Sequence, residues 1–166
     1  MKDDTLRLYH QQAVEVWENF CRLHRDLYEL TCEEYAALLS GEVEQLEAVI
    51  PKKESLMADI ASWDDIRVSL ITALNDSGAA DSPVTTVTQL LRVLQGPEAS
   101  MAIPALTNLN ALLIDIITQT QEQNKRNQMF LNKAMLSLRD IREGFTGKKK
   151  TYTTYGADGL TRSANR

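Results

Sequence analysis

At 166 residues, 43% hydrophobic and with a formal net charge of −5, the chain is long enough for one domain with its own core. Aromatics at 6%, with only 7 glycines and 4 prolines, favour long helices over sheet. The region from Arg139 to Arg166 carries a net +4 and the residues before it −9, an acidic body that disfavours nucleic acid.

The opening Met-Lys-Asp-Asp-Thr is acidic and amphipathic and does not read as a secretory signal. No window reaches the roughly 18 uninterrupted apolar residues of a membrane span; Asp115 breaks the best one. A first helix is predicted from Asp4 to about Leu39, with Asp3 or Asp4 capping its start. Its seam, in strict steps of three and four, is Leu6, Tyr9, Ala13, Val16, Phe20, Leu23, Leu27, Leu30, Glu34 and Ala37, a coiled-coil pattern. Cys21 and Cys32 lie on this helix on the order of 16 Å apart, too far to bridge. Free thiols without an export signal point to the cytoplasm.

Ser40-Gly41 ends that helix, because glycine accepts the left-handed conformation past a helix end. A second helix is predicted from Glu42 to about Asn75, with Pro51 producing a kink near Glu47–Pro51 or a fresh start there. The short connection forces an antiparallel hairpin, with Leu23, Leu27, Leu46 and Ile60 expected in its core. Asn75 to Ser82 reads as a loop. Ser82-Pro83 then offers an N-cap and a first-turn proline for a short helix over Val84–Gln95, ended by Gly96-Pro97.

The last helix is predicted from Ala102 to Glu143, with Ser100 as its cap and Pro104 tolerated in its first turn. Its seam runs Leu106, Leu109, Leu113, Ile116, Thr120, Gln123, Asn127, Phe130, Ala134, Ser137 and Ile141. The three polar members in the middle lower stability and help set register or partner choice. Apolar burial is expected to fall from Thr118 onward, leaving that half available. The domain expectation is a helical unit over residues 1–144 and a flexible basic tail over 145–166. That tail is either simply solvated or a contact for an acidic protein or an anionic lipid surface.

The sequence offers little to catalysis. Cys21 and His24 have a spacing that could supply two zinc ligands, but no second Cys/His pair accompanies them, and His10 lies on the order of 20 Å up the helix. Glu33-Glu34 and Asp64-Asp65 diverge around their helices and read as solvated face. No Gly-rich phosphate loop and no hydrolase-type serine or cysteine motif is present. Trp17 and Trp63 sit on apolar faces and read as core. The group Met129, Phe130, Leu131, Ala134, Met135, Leu136, Leu138 and Ile141 is wider than one seam needs; it either closes the bundle or takes a partner.

At Tyr155-Gly-Ala-Asp-Gly159, after a polar-to-apolar helix and a Lys/Gly/Thr spacer, the chain resembles the FlgN family of flagellar type III export chaperones for the hook–filament junction proteins. The same family shape appears at Leu39-Ser-Gly41-Glu-Val-Glu-Gln-Leu46, Lys53-Glu-Ser-Leu56-Met57, Asp65-Ile-Arg67 and Asn124-Lys-Arg-Asn127-Gln-Met-Phe-Leu131. The resemblance implies a small acidic cytoplasmic chaperone, not an enzyme and without a cofactor, whose C-terminal helix engages FlgK and FlgL. Its substrate face would be centred on Met129–Ile141. It implies too that Tyr155, with Gly156, Asp158 and Gly159, docks on the export gate protein FlhA.

The expected fold is therefore all-α: an elongated antiparallel, coiled-coil-like hairpin plus a long C-terminal helix and tail. It would act as a clamp on a partner's helical terminus. The rival readings are a structural coiled-coil protein forming a permanent oligomer, a homodimer among them, and a four-helix-bundle enzyme or metal protein.

Overall fold

The structure, a computed structural model, describes residues 2–99, 105–147, 153–155 and 161–163, the last two segments by their backbone alone. It is an all-α helical bundle of α1 (Lys2–Ser40), α2 (Val43–Asp76), α3 (Val87–Ala99) and α4 (Ala105–Phe145). Beyond α4, β1 (Thr153–Tyr155) and β2 (Thr161–Ser163) pair antiparallel, with Thr153 opposite Ser163 and Tyr155 opposite Thr161. Two compact units are present, Met1–Asn127 and Gln128–Arg166. The boundary expected at 144/145 falls at the end of α4, inside the second of them. None of the described helices is long and apolar enough to cross a membrane.

Gly41, at φ +70°, lets the chain turn after α1 while the Glu42 amide bonds back to the Ala37 carbonyl at 3.0 Å. That is the Schellman closure a glycine in this place predicts. α2 then returns antiparallel: Tyr9 Oη donates to the Ala73 carbonyl at 2.9 Å, and Lys53 meets Glu34 near the turn. α2 runs unbroken through Pro51, so the fresh start does not occur. Pro51 and Glu47 are both exposed, so water can bond the carbonyl that the proline leaves without a donor.

The connection after α2 departs from the sequence reading. The Asn75 side chain donates to the Val84 carbonyl at 2.9 Å and accepts from the Val84 amide at 2.8 Å. Val84 is thereby fixed as a buried, non-helical anchor, and Ser82-Pro83 cannot start a helix there. α3 starts instead at Val87, behind a capping box: the Gln89 amide donates to Thr86 Oγ1 at 3.2 Å and Gln89 Oε1 accepts from the Thr86 amide at 3.1 Å. It also runs past Gly96-Pro97 to Ala99, because Pro97 and Glu98 are buried there. Glu98 accepts from the Thr107 amide at 2.9 Å and from Thr107 Oγ1 at 2.5 Å, closing the exposed donors of α4's first turn. The expected cap Ser100 and Pro104 lie outside the described residues.

With its start held beside α3, α4 runs parallel to α1 through residue 127. Trp17 Nε1 donates to Asn110 Oδ1 at 3.0 Å, the Cys21 thiol to the Leu109 carbonyl at 3.4 Å, and Asn127 reaches Thr31. α1 therefore buries two stripes. One carries Tyr9, Phe20 and Glu34 and is the predicted seam; the other carries Trp17, Cys21 and Thr31 and meets α4. The apolar core joins Ala13, Trp17, Phe20, Leu74, Leu90, Leu94, Leu106 and Ile116, at the end of the hairpin that α3 covers. Toward Gly41 that cover is missing. Leu23 is buried as expected, but Leu27, Leu46 and Ile60 are only half-buried.

Candidate partner-binding face

Of the predicted α4 seam, Leu106, Leu113, Ile116, Thr120, Gln123 and Asn127 are buried. The polar members were expected to loosen this half of the helix; they are instead its innermost residues. A buried amide is tolerated only when its groups are bonded, and here they are. Asn127 Nδ2 donates to the Thr31 carbonyl at 2.9 Å and to Glu34 Oε2 at 2.8 Å, while Asn127 Oδ1 accepts from Gln123 at 3.0 Å. Lys53 Nζ donates to the same Glu34 oxygen at 2.8 Å and to Asn124 Oδ1 at 3.4 Å. Glu34, read from sequence as solvated face, is thus the hub of a polar cluster drawn from three helices. Lys53 was legible as a partner: it falls between Val49 and Leu56 in steps of four and three, on the inner line of α2.

Burial on α4 ends at Asn127. The same line of the helix continues in steps of three and four through Phe130, Ala134, Leu138, Ile141 and Phe145, about five further turns. Phe130, Leu131 and Ala134 are half-buried. Leu138 is 66% exposed, Met135 67% and Phe145 88%, with Ile141 and Leu136 also exposed. Phe145 was missed in the sequence because it falls beyond the point where helix signals fade at Gly144. Met129 does not join this line: two residues past Asn127, it stands about 160° around the helix. An open groove of about 730 Å³ is lined, among the described residues, by Asn132, Met135, Leu136, Leu138, Arg139 and Arg142. Such a face offers apolar area with cations at its rim, a surface suited to an amphipathic helix.

The other candidates resolve as structure. Trp17 is buried in the core, and Trp63, half-buried, packs against it. The Cys21 thiol is spent on the Leu109 carbonyl, and burial pushes its pKa up. His24 packs its ring against Phe20, and burial lowers its pKa. Among the described residues no group of three or more His, Cys, Asp or Glu side chains converges as a metal site would. Of the docking residues read from the tail, Tyr155 is placed by its backbone in β1, whereas Gly156, Asp158 and Gly159 lie outside the described residues.

A family model described as FlgN protein matches residues 10–163, nearly the whole chain. No curated protein and no solved structure matches it.

Proposed function

The chain belongs to the FlgN family, a family of flagellar export chaperones, and on that premise we propose that it holds the hook-associated proteins FlgK and FlgL on the exposed half of α4. There it keeps them from premature association in the cytoplasm and delivers them to the export gate. The observation that carries this reading is the exposed stretch Met135, Leu138, Ile141 and Phe145, which continues the line of a buried seam in steps of three and four. A helix whose apolar line outlasts its own bundle offers the same packing geometry to a helix from outside. A substrate's helical terminus laid along it would find Leu138, Ile141 and Phe145 as anchors and Met135 as an adaptable neighbour. The tail is the second element of the proposal: Tyr155, with Gly156, Asp158 and Gly159, is the contact for FlhA.

Co-purification with the C-terminal segments of FlgK and FlgL tests the first part. Leu138→Ser with Ile141→Ser is expected to abolish capture while leaving the unfolding midpoint unchanged, since both residues are exposed. Capture at the wild-type level by that double variant would sink the assignment of the face. A second copy of the chain is the competing occupant. A doubled sedimentation mass that these substitutions return to the monomer would favour it.

A further inference from the structure

α2 carries a second apolar line that its own bundle does not use. Its inner line, Val49, Leu70 and Leu74, is buried against the core. About a third of a turn away, Val43, Ile50 and Met57 stand at strict heptad spacing, with Val68 on the same line three turns on. All four are exposed, Val43 at 63% and Met57 at 59%. Isolated exposed apolar residues are ordinary; four in register along one helix are not.

The residues between them fix the chemistry of what would cover them. Glu47 and Glu54 occupy the intervening positions of the heptad and are exposed, and Asp64 and Asp65 continue the acidic edge. Among the described residues no cation is bonded to Glu47 or Glu54. Lys53 is drawn away to Glu34, Arg67 bonds Asp64 at 2.7 Å from the inner side, and Lys52, two residues past Ile50, lies about 160° around the helix. An acid-only edge repels a second copy of the same line, since Glu47 and Glu54 would face acids again.

We propose that this outer face of α2 is a docking surface for a cationic amphipathic helix of a partner protein. The partner would set apolar residues at heptad spacing against Val43, Ile50 and Met57, and Lys or Arg against Glu47 and Glu54. The surface lies on a different helix from the α4 face, and the inference does not depend on the function proposed above.

The probe is a synthetic three-heptad helix with leucine on its seam and lysine on both flanks, beside a control carrying glutamate for every lysine. Titrated by fluorescence anisotropy against the full chain, the lysine peptide is expected to bind and the glutamate peptide not to. Glu47→Lys with Glu54→Lys should weaken binding about tenfold or more, as should Ile50→Ser with Met57→Ser. All four side chains are exposed, so the circular dichroism and unfolding midpoint of these variants should match wild type. Equal binding by both peptides, or by wild type and the α2 variants, overturns the proposal. So does binding lost with Leu138→Ser on α4 instead, or a dimer that Ile50→Ser dissolves.

Discussion

Asn127 on α4 donates its side-chain amide to the Glu34 carboxylate on α1 at 2.8 Å, and this bond marks the last buried position of the long C-terminal helix. On one side of it α4 is a core element. On the other, the same line of side chains becomes exposed at Leu138, Ile141 and Phe145.

Truncating that amide removes a bond to a charged, half-buried group and leaves Glu34 with Lys53 as its cross-helix partner. Asn127→Ala is expected to cost about 1–3 kcal/mol in urea unfolding. Paired with Glu34→Gln the effects should be non-additive, with a coupling above about 0.5 kcal/mol. Additive losses would show that the two side chains act separately.

The boundary at Asn127 should be visible in amide exchange. Amides from Leu106 through Asn127 are expected to be protected, the polar turns included, and those from Asn132 to Phe145 to exchange early. A fall in protection already at Thr118 would restore the boundary that the polar composition alone suggests.

Glu98 ties stability to acid. Burial by itself would push its carboxyl up, but the Thr107 hydroxyl and amide, the Leu106 amide and the nearby His10 ring outweigh it and hold the carboxyl below the usual range. A carboxylate depressed in the folded state stabilises above its unfolded value, about 4.3, and loses that contribution as pH falls through the folded value. The stability difference between wild type and Glu98→Gln should therefore shrink between about pH 5 and pH 3. A difference constant over that range would mean that the carboxylate is not held ionised.

Tyr155 serves docking in the reading proposed above. Tyr155→Ala is expected to leave the unfolding midpoint and capture of FlgK and FlgL unchanged, while weakening the complex with FlhA and reducing motility. Normal swimming and an equally tight gate complex would transfer attention to Tyr152, three residues earlier.

The sequence by itself determined the helices, the hairpin and the line of residues that α4 would bury, because a step of three and four is a local property of the chain. It also placed most of the exposed face, since Met135, Leu138 and Ile141 belong to the apolar group read beyond the polar turns. It could not say where along the line burial stops. A polar residue such as Asn127 reads as a weak point until the carboxylate of Glu34, 93 residues away, is brought to its amide. The same holds for α3, whose start was decided by Asn75 holding Val84 across a loop rather than by the Ser82-Pro83 signal. Polar groups are unfavourable in a core alone and favourable in one when paired, and only the tertiary structure chooses the partners.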